Sequence, residues 1–203
     1  MAVAVYAEEH GRYPPPFLRG PDGRPWHSWR VLLLPYLEQK HLFDQYDFSE
    51  PWDGPNNRKL ADKMPRYFAF HGKEPEQGMT NYAAIFGENT IWREGGLSKD
   101  VVAGRLDVTL LVAENLDEQV QWMEPRDLSL DDFDFKIGSP RGISSPYEDP
   151  AIATPSGIIH RIPPDLDAET LRSLIRIDVP VVGGKNLDEL FDGRLRKLKS
   201  ASR

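Results

Sequence analysis

Hydrophobic positions along the chain fall into two regimes. From Trp26 to Trp52 apolar and aromatic side chains are dense and follow a helical or continuous spacing; from Tyr67 onward they come in the short runs that strands use. The first regime holds Trp26, Trp29, Val31, Leu32, Leu33, Leu34, Tyr36, Leu37, Leu42, Phe43, Tyr46, Phe48 and Trp52. Burying one such side chain contributes roughly 1.5–3 kcal/mol, so this stretch is the expected nucleus of the core. Ser28 is placed to cap a helix from Trp29. Pro35 costs about 3 kcal/mol inside a helix, so two short helices are predicted, near 29–34 and 36–46. Pro51 to Pro55 reads as a turn, and 56–63 as a short helix ended by Pro65.

On either side of this nucleus the pattern is plainer. MAVAVYAEEH predicts a helix over 1–10, stopped by Gly11 in the left-handed conformation. Tyr13-Pro-Pro-Pro-Phe17 forces extended backbone, and Gly20–Gly23 a turn. Strand-type runs occupy 67–70, 80–86, 90–92, 108–113 and 120–122, with Asn115–Glu118 predicting a hairpin and 95–104 a mobile loop. Residues 125–155 carry loop chemistry throughout, including Asp131-Asp-Phe-Asp134 and Gly138-Ser-Pro-Arg-Gly142. Gly157–Ile162 suits a closing strand. Asp167 caps a predicted helix whose Leu171, Leu174 and Ile175 share one face, and 187–198 reads as a second amphipathic helix after Gly183-Gly184. No internal repeat is present.

Composition narrows the class. At 203 residues the chain suits one domain or one with an appendage. With 39% apolar residues, 18 Pro and 16 Gly, a compact core with long irregular connections is expected. The net charge of −7 argues against nucleic acid, which is bound by clustered Lys and Arg. The basic run Arg194–Lys199 reads as a solvated helix end. Zero cysteines exclude a disulfide framework, a thiol nucleophile and a Cys-based zinc site. No apolar run approaches the roughly 20 residues that span a bilayer.

His10, His27, His41, His71 and His160 have no HExxH or His-x₃₋₅-His spacing that would put two imidazoles on one metal. Asp131, Asp132 and Asp134 offer oxygen ligands for Ca²⁺, but the EF-hand's Gly and Glu are missing and a solvated acidic loop is the simpler reading. There is no GxSxG or SxxK; Ser144 and Ser145 have no predicted base. Gly183-Gly184-Lys185 lacks the Walker spacing. No catalytic, cofactor-binding or metal residue is therefore assigned. The tryptophans invite a sugar- or peptide-stacking reading, yet packing is the ordinary role of such rings.

One resemblance covers much of the chain. Tyr6–Pro15, Ser28-Trp-Arg-Val-Leu-Leu-Leu-Pro-Tyr-Leu-Glu-Gln39, Phe43–Asp53 with Pro55-Asn-Asn-Arg58, Thr80–Gly87, Leu110–Glu114 and Trp122–Leu128 resemble a large bacterial family of pilin-like proteins. Members typically begin with a prepilin-type cleavage site and a long apolar helix, as in type II secretion pseudopilins. The resemblance implies that residues 1–11 are the last turns of that helix, whose membrane-anchoring part is not in this sequence. The family's Cys-Pro-Ser-Asp is replaced here by Phe70–Pro75, and the Asp-Gly turn of its last hairpin is absent.

The expectation is an α+β, pilin-like domain over 1–178, with an N-terminal helix packed on a small antiparallel sheet, short helices and long loops, followed by a helical appendage over 179–203. Its expected work is structural: self-association or contact with protein partners at the cell envelope, through loops 93–106 and 125–156, without enzymatic activity, cofactor, nucleic acid or membrane contact by this fragment. Two rivals are a carbohydrate- or peptide-binding module using Trp26, Trp52, Trp92 or Trp122, and a hydrolase built on His27, His71 or His160.

Overall fold

The computed structural model describes residues 2–69, 78–117, 119–147, 149–182 and 187–191. Phe70–Pro75 with His71, Gly183-Gly184-Lys185, the run Arg194–Lys199 and the end of the 187–198 helix lie outside the described residues. The elements in order are α1 Ala2–His10, β1 Phe17–Arg19, β2 Pro25–Ser28, α2 Trp29–Leu32, α3 Lys40–Phe43, β3 Met79–Thr80, β4 Tyr82–Ala83, β5 Ile85–Phe86, α4 Lys99–Val102, β6 Val112–Glu114, β7 Val120–Gln121, β8 Leu128–Ser129, β9 Ala151–Ala153, β10 Ile159–Arg161, α5 Ala168–Ile175 and α6 Leu187–Leu190. Short 3₁₀ turns link several of them. The chain is thus α+β, with strands mostly antiparallel.

Helix α1 ends as its sequence requires: Gly11 takes φ 68°, a conformation a side chain would disfavour. Val3 and Ala7 are buried, and Tyr6 packs edge-on against Tyr36 with ring centroids 5.6 Å apart. Pro35 breaks the next segment earlier than the pattern suggests. Helix α2 stops at Leu32, and Pro35 occupies the first turn of a 3₁₀ helix over Leu34–Leu37, where its missing N–H costs nothing. Glu38 then adopts φ 59°, so the predicted 36–46 helix is divided and only Lys40–Phe43 is α-helical.

The strand runs are subdivided by partner. Residues 79–86 form three two-residue strands that pair in turn with β7, β6 and β8, the last in parallel. At each interruption the sheet ladder gives way to other bonds. The Asn81 carbonyl accepts from the Asn115 N–H, the Asn81 side chain donates to Asn115 O, and the Ala84 N–H goes to the Asp127 carboxylate. The hairpin expected at 115–118 does not form: β6 pairs with β4 and β9, whereas β7 pairs with β3. Of the run 67–70, Tyr67 and Phe68 instead belong to a 3₁₀ turn over Arg66–Phe68, set by Pro65, whose carbonyl accepts from the Phe68 N–H; Phe70 lies outside the described residues. The 95–104 segment carries α4, held to the end of α1 by Lys99 N–H to Gly11 O and by Tyr13 N–H to Leu97 O.

The central sheet has the order β10-β9-β6-β4. Its β9–β10 hairpin arises from a stretch that the pattern assigned to loop and closing strand. Pro155-Ser-Gly157 makes the turn without an Asp-Gly pair, with Gly157 at φ 90° and the Thr154 N–H donating to Ile158 O. Two apolar clusters flank the sheet. The first gathers Trp29, Val31, Leu33, Leu34, Leu42 and Tyr46 with Trp92, Trp122 and Leu111. The second gathers Ile152, Ile162, Leu171, Leu174 and Ile175, and also takes Leu187 and Phe191 from beyond residue 178. Asp167 caps α5 through its carboxylate, 2.8 Å from the Thr170 N–H.

Candidate functional site

The polar residues of the early segment converge on one buried ion pair. Ser28 caps α2 by accepting from the Arg30 N–H, and this short helix turns Trp29 and Arg30 toward the chain ninety-seven residues later. Arg30 donates to Asp127 with both terminal nitrogens, Nη2 to Oδ1 at 2.8 Å and Nη1 to Oδ2 at 3.2 Å. Trp29 Nε1 reaches Oδ2 at 3.0 Å, and the Ala84 N–H reaches Oδ1 at 2.8 Å. The Arg30 and Asp127 side chains are 0% and 2% exposed. Arg30 also donates to Tyr82 O at 2.6 Å and to Ser28 Oγ at 3.1 Å, and its guanidinium lies 4.6 Å over the Trp29 ring. Burial pushes the Asp127 carboxyl above its ordinary value, opposed by Arg30, the Ala84 N–H and Trp29. Four donors on two oxygens fit the ionised form, since a proton on either oxygen would face a donor. The pair clamps three segments and leaves neither residue open to a substrate.

The block around Trp52 is likewise closed on itself. Glu50 Oε1 accepts from the backbone N–H groups of Asn56 and Asn57, each at 2.7 Å. Buried Asn57 donates to Asp47 O and Pro51 O and accepts from the Asp47 N–H at 2.8 Å. These residues hold a turn against the core, which explains an unusual run of polar types without invoking chemistry.

Among the described residues, His10, His27, His41 and His160 lie in separate parts of the fold. His27 is buried with Nδ1 3.0 Å from Tyr46 Oη, and burial pushes its imidazole below the ordinary value. His10 and Glu9 both meet Tyr36 Oη at 3.0 Å on the surface. His41 is exposed, and His160 is buried in β10. Ser144 Oγ accepts from the Leu116 N–H. Asp131 and Asp132 are exposed, and among the described residues no three His, Asp or Glu side chains gather as a metal-ligand set. Trp29, Trp92 and Trp122 are buried; Trp26 and Trp52 are half-buried neighbours joined by Trp52 N–H to Trp26 O.

One open feature is built into the sheet. A groove of about 690 Å³ lies between the first turn of α1, the 3₁₀ turn Arg66–Phe68 and one face of the central sheet. Its floor follows from strand register. Ile159 pairs with Ala153 and Ala153 with Val112, giving an apolar row; two residues along, Arg161 pairs with Ala151 and Tyr82 with Glu114, giving a mixed row on the same face. Alanine at both central positions hollows the floor between larger neighbours. Glu114 Oε2 accepts from the Ala151 N–H at 2.9 Å and lies 3.8 Å from Arg161 Nη1. Arg66 stands exposed at the groove, over the Tyr67 ring and, among the described residues, in no ion pair. None of these residues was singled out by sequence. The usable signal was the i, i+2 pairing of Ala151 with Ala153 and of Ile159 with Arg161.

Residues 1–94 match the model of a family described as "Protein of unknown function (DUF1559)". No curated protein and no solved structure matches the chain. Among the described residues no helix is long and apolar enough to cross a membrane.

Proposed function

We propose that this chain is a non-enzymatic, pilin-like structural domain of a pseudopilin-type protein of the bacterial cell envelope, serving self-association or protein contact in a filament, secretion or surface assembly. The observation that carries this reading is the placing of Val101 and Tyr147, 53% and 45% exposed, one in each of the two loop regions, 93–106 and 125–156, assigned to partner contact. Val5 adds an exposed apolar side chain on α1. Covering such side chains with a partner removes apolar surface from water. The polar residues of the early segment support the same reading, because they are engaged with one another inside the fold. The rival stacking module is left with Trp26 and Trp52.

Sedimentation velocity over a concentration series tests the proposal. The chain is expected to self-associate, and Val101→Glu with Tyr147→Glu to weaken association while the melting temperature stays unchanged. A chain that remains monomeric throughout, or a double variant that associates like the parent, removes the self-association reading.

A further inference from the structure

We infer that the groove on the central sheet is a binding site for an elongated, single-chain amphiphile carrying one anionic head group. Its volume of about 690 Å³ falls within the roughly 300–1,000 Å³ of small-molecule sites, which are mostly apolar with a few placed polar groups. The floor supplies the apolar part: Ile159, Ala153 and Val112 form a continuous row, walled by Ala2 and Ala4 of α1 and by Phe68. A flexible hydrocarbon chain fits a shallow trough whose centre is two alanines.

Charge selects the head group. Two guanidiniums, Arg66 and Arg161, and one carboxylate, Glu114, line the groove. Glu114 is buried, accepts the Ala151 N–H and faces Arg161, which donates to Asp149 O at 2.8 Å. That carboxylate and that guanidinium answer each other. Arg66 remains: exposed, and without an ion-pair partner among the described residues. It leaves the groove with a local positive excess on a chain whose net charge is −7. An anionic head beside Arg66, with its tail along the Ile159–Ala153–Val112 row, satisfies both halves of the site. Guanidinium also suits a carboxylate or phosphate oxygen better than a neutral hydroxyl.

Isothermal titration of the full chain with dodecanoate, below the concentration at which it forms micelles, tests the site. Dodecanoate is expected to bind saturably, and dodecyltrimethylammonium to bind about tenfold more weakly, the scale of one partly exposed charge contact. Arg66→Glu, a change at an exposed side chain, is expected to weaken dodecanoate by about the same factor or more. It should leave dodecan-1-ol unaffected. Ala153→Phe fills the floor and is expected to abolish binding; circular dichroism verifies that it folds, and Ala4→Phe, on the α1 wall, gives an independent block. Equal binding of the anionic and cationic chains, indifference to Arg66→Glu, or undiminished binding by a folded Ala153→Phe or Ala4→Phe protein would each overturn the assignment. The self-association reading is tested apart from these outcomes by Val101→Glu alone, because Val101 does not line the groove, whereas the Tyr147 ring lies against Arg161 at its edge.

Discussion

Replacing Asp127 by asparagine should damage this fold almost as severely as replacing it by alanine, although asparagine has nearly the same shape. Two donors approach each carboxylate oxygen: Arg30 Nη2 and the Ala84 N–H at Oδ1, Arg30 Nη1 and Trp29 Nε1 at Oδ2. An asparagine keeps one acceptor and turns its amide nitrogen toward two donors. Breaking a buried ion pair from one side costs about 3–5 kcal/mol, because the surviving charge stays in low dielectric. Orphaning a buried N–H costs about 1–3 kcal/mol more where the structure cannot relax. The terms overlap, so a loss of about 4 kcal/mol is expected for either variant, against about 5–15 kcal/mol of total stability for a typical domain. Arg30→Met/Asp127→Leu removes both charges and should be milder, about 3 kcal/mol, the share of the orphaned Ala84 N–H, Trp29 Nε1 and Tyr82 carbonyl at about 1 kcal/mol each. Urea unfolding midpoints with unchanged slopes give these values directly. A loss below about 1 kcal/mol for Asp127→Asn, or a double variant costing the sum of its singles, would refute the account of the pair as a clamp.

Two further perturbations probe local backbone. Asp167 is held below the ordinary carboxylate range chiefly by the Thr170 N–H. With the folded value depressed, its contribution is present above the unfolded pKa and is lost as pH falls through the folded one. Asp167→Ala should cost about 1 kcal/mol at neutral pH, whereas Asp167→Asn should keep most of the cap and flatten the acid limb of urea midpoints; equal midpoints for all three proteins would refute the cap. Gly95 and Gly96 both have positive φ, but a Cβ on Gly96 would stand 2.4 Å from Tyr13 O, whereas one on Gly95 meets nothing within 4 Å. Gly95→Ala should cost about 1 kcal/mol, and Gly96→Ala clearly more, because the Tyr13 segment is fixed by its bond to Leu97; equal melting temperatures for the two variants would contradict that close approach.

Local chemistry by itself determined the features that depend on a few neighbouring residues. Gly11 ends α1, Asp167 starts α5, Pro35 breaks the Leu-rich segment, and the tryptophan- and leucine-dense stretch fills the first core. Each rests on a backbone preference or an apolar side chain that acts wherever the chain leads. Strand pairing was not legible, because it depends on partners distant in sequence. The run 80–86 reads as one strand but, with Met79, serves three partners, and the Ala151–Ala153 strand lies between prolines in a stretch that looks like loop. The same holds for polar residues: only the fold brings Arg30 to Asp127. Only strand register sets Ala153 between Val112 and Ile159, and that juxtaposition makes a groove from residues that individually announce nothing.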